Sequence, residues 1–264
     1  MDPWMGTGAA MVDSYRLSRE QLRHWEADPT KVATEEHSRF CLDGYCYVEQ
    51  DGNDAALTCP VCRNEKALAK AQAAIERSGI GVRYWGLEWR DLEQLDPLPR
   101  IETACGRIGE VVSVGHNLVL IGAPGCGKTQ SAVMIIKAAI RAGYTAHLEN
   151  LGRVSADIRE GYSSRDAISE AGVIRQLSET DVLVLDDLGA GETANAEVER
   201  RVLYLVMEAR QNAAKPTIVT TNLTLTELSK AVGVRIMNRL QPMASITFAH
   251  GKNFRLASQQ GVLW

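Results

Sequence analysis

From residue 117 onward, the chain repeats one pattern of apolar and polar positions. Short apolar runs of strand length alternate with longer stretches in which apolar residues recur every three or four positions. The short runs predict buried strands and the longer stretches predict amphipathic helices, so the pattern favours an α/β fold built on a parallel sheet. The five predicted strands are residues 117–121, 144–148, 182–185, 216–222 and 244–250.

The segments between these strands predict helices with recognisable ends. Residues 129–143 predict a helix that ends at a glycine, and residues 195–212 predict one with Val198, Val202 and Leu205 on its apolar face. Thr224 and Glu227 form a capping box at the start of a further helix. The segment VRIMNRLQP (residues 234–242) follows it and predicts a short helix that carries Arg235 and Arg239.

The first eighty residues follow a different pattern. Ser18 and Gln21 fit a capping box for a helix with Leu22 and Trp25 on one face, and residues 64–80 predict a second helix. Between these helices, an Asp-Gly pair at residues 51–52 lies among β-favouring residues and predicts a hairpin. The first helix either packs on its own module or binds a partner.

The segment after the first predicted strand carries the clearest chemical signal. It is GAPGCGKT, which fits the phosphate-binding pattern G-x-x-x-x-G-K-[ST] at every position. Its glycines let backbone N–H groups face phosphate oxygens, Lys128 can reach the β- and γ-phosphates, and the Thr129 hydroxyl can bind Mg²⁺. The predicted nucleotide-binding residues are Gly122, Ala123, Pro124, Gly125, Cys126, Gly127, Lys128, Thr129 and Gln130.

Polar side chains follow two other predicted strands. Asp186 and Asp187 come directly after the apolar run VLVL, and Asn222 ends PTIVTTN. The carboxyl ends of parallel strands meet at one edge of a sheet. We therefore expect Asp186 to bind Mg²⁺ together with Thr129, Asp187 to polarise the attacking water, and Asn222 to contact the γ-phosphate or that water.

Four of the six cysteines are close together in the sequence. Cys41 and Cys46 form one pair, and Cys59 and Cys62 form a second pair in the segment TCPVC. Two such pairs are typical of a structural Cys₄ zinc site, here on a zinc ribbon, with His37 as a substitute ligand. The alternatives are disulfides, which are rare in the cytoplasm, or free core thiols. We expect two domains: a helical, zinc-binding module at residues 1–80 and an ATPase domain at residues 81–264.

Composition and charge narrow the protein class only modestly. The chain has 264 residues and a formal net charge of −4, so a globally basic surface for nucleic acid is not indicated. The sequence contains neither an apolar run long enough to span a membrane nor an export signal. These features predict a cytoplasmic protein with no membrane partner.

In their order and spacing, these segments resemble the AAA+ ATPases of the DnaC/IstB group, and within it the phage-type and DnaI-like helicase loaders. The segments that carry the resemblance are the paired cysteines, SGIGVRYWGLEW, GAPGCGKT, LVLDDLG, PTIVTTN and RIMNRL. The resemblance implies a five-stranded parallel sheet of the additional-strand phosphate-loop class, with residues 144–148 as the inserted strand. It also implies that a small zinc module precedes this sheet and that no lid domain follows it.

The resemblance also implies roles for individual residues. Asp186 and Asp187 would be the Walker B pair, Asn222 the first sensor, and Arg239 an arginine finger that enters a neighbouring subunit's site. Arg255 would approach the phosphates of its own chain. Asp187 replaces the glutamate that is usual in AAA+ proteins, and a shorter acid implies slow hydrolysis.

The implied function is the loading of a ring-shaped replicative helicase onto single-stranded DNA. The N-terminal module would grip the helicase, ATP would assemble the chains into an open spiral, and hydrolysis would release the loader. The implied cofactors are ATP, Mg²⁺ and Zn²⁺. The candidate contacts to the DNA backbone are Arg153, Arg159 and Arg165.

Three alternatives stay open at this stage. One is a transposition helper ATPase of the IstB kind, which binds duplex DNA and recruits a transposase. Another is a nucleotide-gated binding adaptor with negligible hydrolysis. The third is a small-molecule phosphotransferase, for which the sequence offers no acceptor pocket.

Overall fold

The computed structural model of the chain describes residues 16–50, 53–92, 95, 97–161, 169–189 and 196–248. The chain divides into two compact units, residues 1–72 and 73–264. This division falls earlier than the boundary after residue 80 that the sequence suggested. None of the helices in the described ranges has the length and apolar character needed to cross a bilayer.

The first unit combines a small sheet with three helices. Its sheet has the order β1-β2-β3, in which β2 and β3 form an antiparallel hairpin and β1 runs parallel to β2. This pairing confirms the predicted hairpin, although Asp51 and Gly52, which separate the two strands in the sequence, lie outside the described residues. The elements are β1 (Arg16–Leu17), α1 (Arg19–Ala27), α2 (Thr34–Phe40), β2 (Tyr45–Gln50), β3 (Asn53–Thr58) and α3 (Pro60–Glu76).

The first helix begins where the sequence predicted. The Gln21 N–H donates to Ser18 Oγ at 3.1 Å, and the Ser18 N–H donates to Gln21 Oε1 at 3.0 Å, which completes the capping box. This start places Trp25 on the inner face of α1, where its side chain is fully buried against Leu17 and Val48. The core of the first unit therefore forms around one tryptophan.

The second unit is a five-stranded parallel sheet with helices packed around it, as predicted. The strand order is β5-β6-β7-β4-β8, and every neighbouring pair is parallel. The strands are β4 (Asn117–Ile121), β5 (Ala146–Glu149), β6 (Val182–Leu185), β7 (Thr217–Thr221) and β8 (Met243–Thr247). The helices are α4 (Leu98–Gly106), α5 (Ile108–Val114), α6 (Lys128–Arg141), α7 (Leu151–Gly161), α8 (Glu170–Glu179), α9 (Ala196–Asn212), α10 (Leu225–Val232) and α11 (Val234–Leu240).

The strand order in the sheet differs from the order along the chain. Residues 144–148 were expected to form a strand between the phosphate-loop strand and the acidic strand in the sequence, and β5 is this strand, although in the sheet it lies at the edge and not between β4 and β6. It is β7 that lies between β4 and β6 and pairs with both. Every residue of β6 and β7 is buried, which explains why both segments are apolar or uncharged throughout.

The buried face of α9 is rotated relative to the prediction. Val202 is buried and Val198 packs against the core, as expected, but Leu205 is 37% exposed. The helix instead buries Val202, Leu203, Val206, Met207 and Arg210. A stripe at positions i, i+1, i+4, i+5 and i+8 still follows the helical repeat, so the period was right and only the phase was wrong.

An unusual buried charge joins α9 to the sheet. The Arg210 side chain has no solvent exposure and donates to the carbonyl oxygens of Leu177 (2.8 Å) and Asp181 (3.1 Å) and to Thr217 Oγ1 (2.9 Å). Burial lowers the pKa of Arg210 to about 10, so the guanidinium remains charged at neutral pH. It therefore ties α8, β6 and β7 to one helix.

We predict that Arg210→Ala destabilises the protein by about 3 kcal/mol or more, because it leaves several buried carbonyl groups without a donor. The midpoint of urea unfolding, followed on the full chain, measures this loss. Arg175→Ala, which removes an exposed arginine from α8, is the matched control and should shift the midpoint little. Equal effects of the two substitutions would show that the buried hydrogen bonds contribute little.

Candidate nucleotide and metal sites

The phosphate-binding segment connects β4 to α6 and takes a shape that needs glycine. Gly125 and Gly127 have φ angles of 81° and 98°, in the left-handed region that other residues rarely adopt. A Cβ atom at Gly127 would lie 2.5 Å from Leu95 Cδ2. A strand, this turn and the N-terminus of α6 together form an anion-binding arrangement.

Lys128 lies at the centre of this arrangement and is only 6% exposed. Its ammonium group donates to the carbonyl oxygens of Gly122 (2.8 Å) and Ala123 (2.9 Å) and to Asn222 Oδ1 (2.8 Å). The structure therefore brings Lys128 and Asn222 together, although they are 94 residues apart in the sequence. An ammonium held between these acceptors is placed to transfer its hydrogen bonds to phosphate oxygens.

The two aspartates lie at the same edge of the sheet, and their roles can be separated by their contacts. The Thr129 hydroxyl donates to Asp186 Oδ1 at 3.0 Å, so the two predicted Mg²⁺ ligands are adjacent. Asp187 has a φ of 60°, and its Oδ1 accepts a hydrogen bond from Asn222 Nδ2 at 3.2 Å. Thr129 and Asp186 are thus suited to hold a cation, and Asp187 and Asn222 to orient a water molecule.

Thr220 is a candidate functional residue that was not predicted from the sequence. Its hydroxyl donates to Asp186 Oδ1 at 2.6 Å and accepts the Asp187 N–H at 2.8 Å. One buried hydroxyl on β7 therefore fixes both the Asp186 carboxylate and the left-handed backbone at Asp187. The consecutive threonines just before Asn222 were the available signal, since a hydroxyl is unexpected inside a fully buried strand.

Arg83 and Tyr84 also line the cavity around the phosphate-binding segment, together with Gln130, Thr220 and the two aspartates. The Arg83 guanidinium carbon lies 4.5 Å from the centre of the Tyr84 ring. Both residues belong to a single 3₁₀ turn (Val82–Tyr84), within the segment SGIGVRYWGLEW. This segment is part of the family resemblance, but no role was predicted for Arg83 or Tyr84.

A buried lysine holds this segment against α6. Lys137 is 2% exposed and donates to the carbonyl oxygens of Trp85 (2.7 Å) and Leu87 (2.8 Å). Burial lowers the pKa of Lys137. Because α6 begins at the phosphate-binding lysine, one helix supports both walls of the cavity.

Comparison with known proteins decides the family. The family model described as IstB-like ATP binding protein matches residues 106–259. The uncharacterized protein YdaV of Escherichia coli (strain K12) is 30% identical over 185 residues, which cover 69% of this chain and 73% of that protein. This chain belongs to the IstB-like ATP-binding protein family.

Other relatives carry a functional name. The replicative helicase loader DnaC of Escherichia coli (strain K12) is 21% identical over 188 residues, which cover 70% of this chain and 76% of DnaC. A crystal structure of the DnaC helicase loader superposes with a TM-score of 0.54 at 22% identity, covering 64% of this chain and 100% of that chain. A crystal structure of DnaI gives a TM-score of 0.53 at 20% identity, covering 67% of this chain and 94% of that chain. These structures support the fold assignment.

Arg239 of this IstB-family chain lies away from the nucleotide cavity. It follows Asn238 on α11, and the carbonyl of the next residue, Leu240, accepts a hydrogen bond from Asn117 Nδ2 (2.8 Å) at the start of β4. The phosphate-binding segment follows the other end of β4, roughly 15 Å away at the usual rise per residue. Arg239 is therefore out of reach of its own chain's phosphates.

The other predicted arginine contacts are Arg153, Arg159 and Arg165 for DNA and Arg255 for the chain's own phosphates. Arg153 on α7 is exposed, whereas the side chain of Arg159 and the whole of Arg165 lie outside the described residues. Arg255, the predicted contact to the chain's own phosphates, also lies outside them.

The cysteine module differs from the predicted Cys₄ set at one position. The four side chains that come together are His37, Cys41, Cys59 and Cys62, and their ligand atoms all lie within 4.8 Å of one another. His37 Nε2 is 3.3 Å and Cys41 Sγ is 3.6 Å from Cys62 Sγ. Three thiols and one imidazole form a donor set that structural Zn²⁺ uses.

Cys46 is not part of this group, and its side chain is buried in the core of the first unit. Asp43 and Gly44 have positive φ angles of 50° and 87° and form a tight turn, so the chain enters β2 before it reaches Cys46. On that strand the Cys46 side chain is fully buried, and its thiol lies 3.7 Å from the Leu57 carbonyl oxygen. By contrast, α2 places His37 one helical turn before Cys41, on the same face.

The thiols of Cys41 and Cys62 are difficult to deprotonate when no cation is bound. Burial, followed by the neighbouring Cys62 thiol, raises the pKa of Cys41 to about 12, and burial also raises the pKa of Cys62. A bound divalent cation offsets this cost by stabilising the thiolates. The residues present therefore fit a metal ion.

We predict that Thr220→Val slows ATP hydrolysis by roughly tenfold or more, because the valine can neither donate to Asp186 nor accept the Asp187 N–H. The affinity for ATP should change much less, since Lys128 and the glycine-rich turn are untouched. Steady-state kinetics of the full chain separate the two effects. Thr220→Ser keeps the hydroxyl and should retain most of the activity, and equal losses in both variants would contradict the positioning role.

Proposed function

We propose that this IstB-family protein is an ATP-dependent loader of the replicative helicase. The observation that carries the proposal is the convergence of Lys128, Thr129, Asp186, Asp187 and Asn222 at one edge of the sheet. This site belongs to a chain similar to named helicase loaders over most of its ATPase unit. In this proposal, the nucleotide controls when the loader holds and releases its partner.

The contacts of the site suggest how ATP is bound and hydrolysed. Lys128 and the backbone of the glycine-rich turn bind the phosphates, and Thr129 and Asp186 would hold Mg²⁺, which neutralises phosphate charge. Asp187 and Asn222, which contact each other at 3.2 Å, orient the attacking water. Asp187 is one methylene shorter than the usual glutamate, so hydrolysis is slow enough to act as a timing step.

The position of Arg239 supports assembly into an oligomer. Because it lies near the opposite ends of the strands from the phosphate-binding segment, its guanidinium can reach phosphates only in a second copy of the chain. A contact in which each chain offers a different face generates a ring or a spiral. We propose an open spiral that forms with ATP, with Arg239 as the finger that completes the neighbour's site.

Two further parts of the molecule are assigned to partners. The first unit, held together by zinc at His37, Cys41, Cys59 and Cys62, would grip the helicase. Single-stranded DNA would lie along the inner face of the spiral, with Arg153, Arg159 and Arg165 as candidate backbone contacts. Both assignments imply a cytoplasmic protein that works with the replication machinery.

A second candidate function is supported by the family itself. The matching model is named for IstB-like proteins, and the alternative is a transposition helper that binds DNA and recruits a transposase. The metal-binding first unit lies outside the matched residues 106–259 and favours the loader. The identity of the captured partner separates the two functions.

We predict that the full-length protein captures the host's purified replicative helicase in the presence of ATP and that Lys128→Ala weakens this capture at least tenfold, because the phosphates lose their main cationic contact. A pulldown with helicase and transposase offered in parallel measures both interactions. Arg175→Ala, in the exposed face of α8, is the control and should bind like the wild type. Selective capture of the transposase would overturn the loader proposal.

We predict about one zinc ion per chain, lost in His37→Ala and Cys59→Ser and retained in Cys46→Ala, because only the first two remove a residue of the four-membered group. Metal analysis of the purified full-length variants gives the stoichiometry. If Cys46→Ala loses zinc and His37→Ala keeps it, the four-cysteine set is correct and the arrangement described above is wrong.

A further inference from the structure

Arg239 is held by two residues of the neighbouring helix α9. Its Nη2 donates to Glu208 Oε1 at 2.7 Å and to the Tyr204 hydroxyl at 2.8 Å. The Tyr204 ring also faces the guanidinium, whose central carbon lies 4.4 Å from the ring centre. An ion pair, a hydrogen bond and a cation–π contact therefore converge on one end of a single side chain.

The other end of the guanidinium is much less constrained. Nη1 has only a 3.5 Å contact with the Arg235 carbonyl oxygen, which is at the limit for a hydrogen bond. Within the described part of the chain, the buried Nε has no hydrogen-bond partner. The contacts with α9 thus fix Nη2 and hold one face of the guanidinium against the Tyr204 ring. They leave the donors of Nη1 nearly uncommitted.

The holding residues are themselves firmly anchored. Tyr204 and Glu208 are one helical turn apart on α9, and the opposite face of α9 packs in the core through Val202, Val206 and Arg210. An arginine side chain has many rotamers and loses that freedom when it engages a phosphate. If it is already held in a single orientation, most of that cost is removed before a second copy binds.

We propose that Glu208 and Tyr204 are positioning residues for Arg239 and orient its weakly bonded Nη1 group toward the nucleotide of an adjoining chain. This inference rests on the proposed role of Arg239 between chains. The Glu208 carboxylate remains on the Nη2 side, so it orients the delocalised cation without occupying the donors that phosphate oxygens need.

The test measures ATP turnover of full-length variants over a range of protein concentrations. Glu208→Ala should lower kcat about tenfold in the assembled protein, because Arg239 loses its orientation. The KM for ATP should not change, since residues of the same chain bind the nucleotide. Glu208→Gln keeps an oxygen that accepts from Nη2 and should retain most of the activity. Glu197→Ala, an exposed acid of α9, is the matched control.

Mixed assemblies locate the defect. Chains with Lys128→Ala hydrolyse poorly but supply an intact Arg239, Tyr204 and Glu208. Adding them to Glu208→Ala chains should restore turnover toward the wild-type value, because the defective chains keep an intact nucleotide site. Adding Lys128→Ala chains to Arg239→Ala chains should likewise restore turnover toward the wild-type value.

The outcomes distinguish the positioning role of Glu208 from the proposed action of Arg239 between chains. If Arg239→Ala is defective and is rescued by Lys128→Ala chains, whereas Glu208→Ala has wild-type or higher turnover, Glu208 does not position the arginine and the finger role stands. A raised KM in Glu208→Ala, or a defect that the mixture does not rescue, would place the damage in the chain's own site and overturn the inference. If Arg239→Ala has no defect in any mixture, the action of Arg239 between chains is itself wrong.

Discussion

The parallel pairing of β6, β7 and β4 is the constraint on which the nucleotide site depends. Because the three strands run in the same direction and are hydrogen-bonded side by side, their carboxyl ends bring together segments that are far apart in the chain. The Thr220 hydroxyl then links the Asp186 carboxylate to the Asp187 backbone, and Asn222 links Asp187 to Lys128. A change in strand register would separate these groups even if every residue were kept.

The same sheet separates the two parts of the proposed catalytic site. The phosphate-binding groups lie at the carboxyl ends of the strands, whereas Arg239 lies near the amino ends, held by Glu208 and Tyr204. A single chain therefore contains both parts but cannot bring them together. If Arg239 acts as proposed, hydrolysis requires a second chain, and nucleotide turnover reports assembly.

The first unit follows a different structural principle. Its sheet is small and its core forms around Trp25, so little apolar surface is available to hold it together. A cross-link through His37, Cys41, Cys59 and Cys62 would join the end of α2 to the start of α3. In a domain of this size, such a bound ion contributes directly to folding.

Local sequence determined the elements and much of the chemistry of this protein. The apolar periods, the capping box at Ser18 and the glycine-rich turn are short-range patterns, and each predicts structure from neighbouring residues alone. The tertiary structure decided what depends on distant contacts: β7 as the strand between β4 and β6, the exposure of Leu205, and the bonds of Thr220 to the two aspartates. It also placed His37 among the thiols, whereas the Cys46 side chain on β2 is buried in the core of the first unit. Residue spacing indicates which side chains can act together, but only the packed strands and helices determine which ones do.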